Sequence, residues 1–408
     1  MSSLHAFLFE VYPYVCFTVF LVGSYSVYGY LDKVRLLTTS AKDVYGQQRN
    51  DLISQSKQAL DRGLVLDPNW RNPCWGEMFD LLRMQEHDAE KCKNQQTEII
   101  EKLKNQNPFS TRVLIMRQLM LQEKDGAEIF ENLLNDINEA RDRAGVNMAI
   151  QLDVIKLKVL AKLGDIGRLE NAIEVTRSSD NLRDENLAMT VASILRDTFA
   201  KDRDAITVLL ESLRFDFNVD VFFALFHIYI DLKDQKEADL LYEKWHRRLS
   251  NALKNKLRIE LLDMRENFEE SLKEIQRYED ETGIPNIAHR IYLHLRLKHY
   301  QEVEKLARSV LEPIHYSPEA ASETVNLELA RKMQGKKVDA ARLEAVMKYN
   351  SNPSTHAAIY ALLSKKAEML DSIKKTMKSD KKFRFTAAEW PVFSGYRNDQ
   401  NFSQAISP

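Results

Sequence analysis

Along most of the chain, apolar residues return every three or four positions, as at Leu225, Ile228, Tyr229 and Leu232, or at Val303, Leu306 and Val310. That spacing marks amphipathic helices with one buried face. Short polar breaks interrupt the stripes at Leu163-Gly164-Asp165, Leu232-Lys233-Asp234, Leu297-Lys298-His299 and Gln334-Gly335-Lys336. Helix-starting or loop residues recur near Ser110, Asn147, Arg183, Asn218, Asn251, Pro285, Ser317 and Pro353, about 32 to 37 residues apart. Each interval holds two amphipathic stretches around one break. The pattern therefore predicts an all-α solenoid of about 8 helical hairpins over residues 67–380. One hairpin cannot bury its apolar face alone, whereas stacked neighbours share a continuous core.

The pattern changes at the N-terminus. Val11 to Leu31 is a run of 21 uncharged residues. At about 1.5 Å per residue it is long enough as a helix to cross a bilayer core of about 30 Å. Tyr12 and Tyr14 at one end and Tyr25, Tyr28 and Tyr30 at the other suit the two interfaces. No Lys or Arg precedes the run and no A-x-A site ends it, so the expectation is an uncleaved transmembrane helix rather than a signal peptide. Lys33, Arg35, Lys42 and Arg49 follow it. The positive-inside rule then places the N-terminus outside and the large C-terminal part in the cytoplasm; the inverted alternative places that part in the periplasm. The expected organisation is residues 1–35 as tail and span, 36–66 as a juxtamembrane helix or linker carrying Tyr45, Leu52, Ile53 and Leu60, 67–380 as the array and 381–408 as a C-terminal cap. Asp67-Pro68 and Asn72-Pro73 break the linker, and Trp70 and Trp75 are expected inside the first hairpin.

Composition supports the helical reading. Only 12 Gly and 10 Pro occur in 408 residues, while 44% of the chain is hydrophobic and 29% charged. The net charge of −2 gives no overall field for nucleic acid. Cys16, Cys74 and Cys92 lie far apart with no C-x-x-C, so they form neither a zinc ribbon nor a disulfide framework, and a Cys74–Cys92 bridge is the one pairing left open.

Two resemblances add to this. In residues 218–250, Phe222, Leu225, Tyr229, Ala238 and Tyr242 fall at the offsets of a tetratricopeptide repeat, a signature that is structural rather than catalytic. The small Ala238 lets the second helix approach the first while the aromatics fill the hairpin. Phe226 and Trp245 depart from that family's pattern, which usually has small residues there. The segments Trp390-Pro391-Val392-Phe393 and Arg397-Asn398-Asp399-Gln400-Asn401-Phe402 resemble the tail that closes many bacterial arrays of this family. Residues 9–30, with Phe9-Glu10-Val11-Tyr12-Pro13-Tyr14, Val19-Phe20-Leu21-Val22-Gly23-Ser24 and Tyr28-Gly29-Tyr30, resemble the first transmembrane helix of the respiratory nitrate reductase gamma subunit. That family's haem ligands lie on later membrane helices. No second apolar run of spanning length occurs here, so haem and quinol chemistry do not carry over.

No phosphate loop, dinucleotide fingerprint, H-E-x-x-H or nucleophile elbow is present. His289, His294 and His299 are five residues apart, which on a helix turns each about 140° from the last, and a loop at His299 is not expected to rescue the geometry, so they are not expected to share a metal ion. Trp245-His246-Arg247-Arg248 reads as a helix end where cations favour the dipole, and the basic stretch Lys374, Lys375, Lys378, Lys381, Lys382 and Arg384 reads first as a solvated face and also as a patch for an acidic peptide or anionic lipid. The expectation is a non-enzymatic scaffold without cofactor or metal, tethered to the bacterial inner membrane by one helix. It would bind a protein or peptide partner on the concave face of the array, with assembly or regulation of a respiratory complex as the narrower reading. The rivals are a periplasmic chaperone of the same fold and an enzyme with a cryptic site.

Overall fold

The computed structural model describes residues 27–42, 46–69, 71–83, 89–122, 125–283, 285–311 and 320–407. Residues 11–26 of the expected membrane span, together with Cys16, Tyr45 and Trp70, lie outside these. Among the described residues every regular element is a helix, and no helix is long and apolar enough to cross a membrane. The chain divides into two compact units, Met1–Gly164 and Asp165–Pro408. The division falls within the expected 67–380 array.

The first unit comprises α1 (Val27–Lys42), α2 (Gly46–Leu66), α3 (Cys74–Arg83), α4 (Ala89–Gln106), α5 (Thr111–Met120), α6 (Ala127–Asp142) and α7 (Val146–Leu163). Leu31 and Val34 of α1 are buried with Ile53 and Leu60 of α2, Phe79 and Leu82 of α3 and Leu103 of α4. Leu31, the expected last residue of the span, thus packs against protein side chains. Residues 36–66, expected as a linker, carry part of this core. The α2–α3 turn is locked by the buried Asn72, whose Nδ2 donates to the Gly63 and Asp67 carbonyls at 3.1 and 2.6 Å while its Oδ1 accepts from the Cys74 N–H at 2.9 Å. A Cβ on Gly63 would lie 2.8 Å from Cys74 Sγ, so glycine alone fits that approach. Trp75 is buried and donates Nε1–H to the Asn69 carbonyl at 3.1 Å. Cys74 and Cys92 are both buried, with no disulfide between them.

The second unit opens with α8 (Ile166–Arg177) and a 3-10 turn. It continues with the hairpins α9 (Glu185–Asp197) and α10 (Asp202–Phe215), α11 (Val219–Asp231) and α12 (Gln235–Trp245), α13 (Asn251–Met264) and α14 (Phe268–Thr282), α15 (Ile287–Arg296) and α16 (Tyr300–Leu311), α17 (Ala321–Met333) and α18 (Ala340–Tyr349), and α19 (Pro353–Leu362) and α20 (Lys366–Ser379). The short α21 (Phe383–Glu389), a 3-10 turn and α22 (Gln400–Ala405) close it. First helices of successive hairpins touch one another, α9 on α11, α11 on α13, α15 on α17 and α17 on α19, and form one row.

The turns within the six hairpins of the second unit, and the turn just before α8, use one device. A residue with positive φ ends the first helix: Gly164, Ala200, Lys233, Glu266, Lys298, Gly335 and Ser364. The N–H that follows bonds back to a carbonyl in the last turn, as in Asp234 to Tyr229, Asn267 to Leu262, His299 to His294 and Lys365 to Tyr360, at 2.8–2.9 Å. This is the Schellman closure, which satisfies carbonyls a helix end leaves open. Asp234 and Asp339 then cap the next helix by accepting from the Glu237 and Arg342 N–H groups. Five of the seven residues are not glycine, and an L-residue in this region costs about 1 kcal/mol against glycine. Ala200→Gly is therefore expected to stabilise the protein by about 0.5–1 kcal/mol in urea unfolding. Lys233→Gly should not, because it also removes an ion pair to Glu389 at 2.6 Å.

In the hairpin with the clearest repeat signature, Phe222, Leu225, Tyr229 and Ala238 are buried, and Tyr242 is half-buried against the His246 ring at 5.5 Å. Phe226, the departure from the pattern, is also fully buried and stacks on Phe222 at 6.0 Å. Ala238 has no exposed surface, so Ala238→Leu is expected to cost about 1–3 kcal/mol by overpacking. An unchanged melting temperature would count against that helix contact.

Candidate functional site

The first helices of the second unit present a line of side-chain pairs, each joining one hairpin to the next. Arg196 on α9 meets Asp231 on α11 at 2.7 Å. From α11 to α13, the Lys256 ammonium lies 5.4 Å from the centre of the Phe223 ring, and His227 Nε2 lies 3.0 Å from Glu260 Oε2. From α13 to α15, Asp263 Oδ2 meets His289 Nε2 at 2.5 Å. The Phe223–Lys256 and His227–Glu260 partners are one repeat apart in sequence, so each helix carries a neighbour's counterpart at the same height. Phe223 is half-buried, Lys256 is exposed and the His227 side chain is 45% exposed, so this face meets solvent. Asp263 Oδ1 is buried without a hydrogen-bond partner among the described residues.

Beyond α15 the C-terminal segment takes over the pairing. Glu389 accepts from Lys233 Nζ at 2.6 Å and from Arg296 Nη1 at 2.8 Å, joining turns two hairpins apart. Burial works to raise the Glu389 carboxyl, and the two cations outweigh it and hold it below the usual carboxylate range. Arg296 also donates to Tyr292 Oη at 2.7 Å, and burial pushes that phenol up. Trp390 donates Nε1–H to Asn326 Oδ1 on α17 at 3.0 Å. At the other end of α21, Arg384 reaches Asp202 at 2.5 Å, Lys382 reaches Asp197 at 3.0 Å, and the Lys381 N–H donates to the Asp197 carbonyl at 3.0 Å. Lys374, Lys375 and Lys378 are exposed, as a solvated face would have them, while Lys382 and Arg384 find acids within the chain.

Several expected features fall elsewhere. Trp245 stacks on Phe217 at 4.8 Å, with the Arg248 guanidinium over both rings at 5.2 and 5.5 Å, away from the first-helix row. His289 faces Asp263, while His294 and His299 come together with Nδ1 atoms 3.4 Å apart. The helical-wheel expectation for that pair is overturned because the left-handed Lys298 reverses the chain between them. No cluster of three or more His, Cys, Asp or Glu suited to a metal ion occurs among the described residues. The sequence reading named no partner-binding residue. The usable signal was the recurrence of complementary side chains one repeat apart, Phe223 with Lys256 and His227 with Glu260.

No family model matches the sequence, and no curated protein matches it; the likeness of residues 9–30 to a nitrate reductase subunit is therefore unsupported. Among solved structures, the chain is similar to the Cut9–Hcn1 hetero-tetramer of APC/C at 12% identity and a TM-score of 0.26, covering 96% of this chain and 86% of that one. It is also similar to the TPR domain of P58(IPK) at 12% identity and a TM-score of 0.25, covering 93% and 96%. Similarity at this level adds nothing about function to what the hairpins themselves show.

Proposed function

We propose that the protein is a tetratricopeptide-like scaffold that binds a polypeptide segment along the first-helix row of its second unit. The observation that supports this is the solvent-facing line of aromatic and charged pairs, Phe223 with Lys256 and His227 with Glu260, continuing through Asp263 and His289. Aromatic and cationic side chains on a rigid helical support are the anchors from which interfaces draw most of their energy. A nucleophile with its base, or an oxyanion site, is not part of the row, so binding rather than turnover is the activity assigned.

The test is selection of peptides from a display library against the full chain, followed by affinity measurement on variants. Phe223→Ala and Lys256→Ala are expected to weaken the selected peptides about tenfold each, the loss typical of an interface anchor. Enrichment of peptides that bind both variants like the parent would move the site off this row.

From the sequence alone we further propose that the apolar segment beginning at Val11 tethers the chain to a membrane, with the helical units cytoplasmic and a respiratory complex as the held partner. Release by alkaline carbonate would refute the tether. Digestion of the helical units by external protease in spheroplasts with an intact inner membrane would favour the periplasmic orientation. Absence of respiratory subunits from a native-membrane co-purification would refute the narrower assignment.

A further inference from the structure

The α15–α16 turn brings two imidazoles together. His294 lies in the last turn of α15, Lys298 takes φ 61°, and His299 precedes α16 with its N–H on the His294 carbonyl at 2.8 Å. The result is an Nδ1···Nδ1 separation of 3.4 Å, with ring centres 5.6 Å apart and planes inclined at 45°. Two imidazoles so placed can share one hydrogen bond, with one ring as donor and the other as acceptor. They can equally share an ion. A tetrahedral ion with metal–nitrogen bonds of about 2.0–2.1 Å holds neighbouring nitrogens roughly 3.3–3.4 Å apart. A square-planar ion with bonds of that length would need them at about 2.9 Å. The observed separation is the tetrahedral one.

The geometry points to a two-histidine half-site at this turn, His294 Nδ1 and His299 Nδ1, for a tetrahedral divalent cation of the zinc type. Glu302, one turn into α16, and Arg290, one turn before His294, are the charged groups that act on His294, and Arg290 is itself held by Glu279 at 3.4 Å. His289 takes no part, since its Nε2 is engaged by Asp263. No third His, Cys or carboxylate of the described residues completes the set, so the pair fills two of four positions and water the others. Burial first, then His299 and Arg290, hold His294 below its ordinary pKa.

The test is titration of the full chain with zinc chloride at pH 7.5, read by calorimetry and by ring-nitrogen NMR of the histidines. One site is expected, shifting the Nδ1 signals of His294 and His299 and leaving His289 in place. His294→Asn and His299→Asn should each lose it. Undiminished affinity in either folded variant, zinc shifts on other histidines instead, or no heat and no shift in the parent protein would each overturn the assignment. The NMR arm on the unmodified chain keeps the result decisive if a variant fails to fold.

Discussion

Asp202→Ala is expected to destabilise the second unit by about 3–5 kcal/mol, the cost of leaving a buried charge uncompensated. The Asp202 side chain is 12% exposed and bridges two guanidiniums, Arg196 at 3.0 Å and Arg384 at 2.5 Å, which are themselves 9% and 13% exposed. Both lie over the Phe385 ring, at 5.8 and 4.2 Å, so loss of the carboxylate leaves two cations facing one another across an apolar surface. Arg196 retains Asp231, whereas Arg384 has the Lys381 carbonyl as its other hydrogen-bond acceptor. The double variant Asp202→Ala, Arg384→Ala should therefore be more stable than Asp202→Ala alone. The positive coupling would show in a double-mutant cycle read by urea unfolding. Strict additivity would mean that the C-terminal segment does not close over the α9–α10 turn. The contact joins residues 182 positions apart, so local fraying cannot mimic its loss.

Phe393→Ala is expected to cost about 3–5 kcal/mol, the usual range for emptying a fully buried aromatic site. Phe393 has no exposed surface and sits among the rings of Phe402 at 5.7 Å, Trp390 at 5.9 Å and Phe383 at 6.3 Å, the last two edge-on. These rings belong to the core that also holds Ile359, Met369 and Ile373 of the last hairpin. Truncation should lower the melting temperature and open residues 380–407 to limited proteolysis first. Because α21 hangs between this aromatic cluster and the Asp197–Asp202 turn, the same variant should weaken the Arg384–Asp202 coupling. Unchanged proteolysis would show that the cap folds independently of the last hairpin.

Helix placement was legible because it depends on neighbours three and four residues away. The starts expected near Asn218, Asn251 and Pro353 match helices beginning at Val219, Asn251 and Pro353. The four polar breaks centre on Gly164, Lys233, Lys298 and Gly335, each with positive φ. Ala200, Glu266 and Ser364 do the same work and left no such trace, because alanine and glutamate are good helix formers and packing imposes the turn on them. The His294–His299 pair was misread for a related reason. A wheel drawn through both assumes a continuous helix, and one left-handed residue cancels it.

What remained illegible were pairings across hairpins. Periodicity and turn residues specify that this chain makes amphipathic helices in pairs and repeats them, since those preferences are local and survive in isolated segments. Which side chains line the row, that Glu389 reaches both Lys233 and Arg296, and that basic residues near the C-terminus neutralise Asp197 and Asp202 depend on the rotation from each hairpin to the next. Small rotations add up over several repeats, and no short-range preference encodes the sum. The stacked unit therefore settles where the C-terminal segment lands and which first-helix positions it leaves open to solvent.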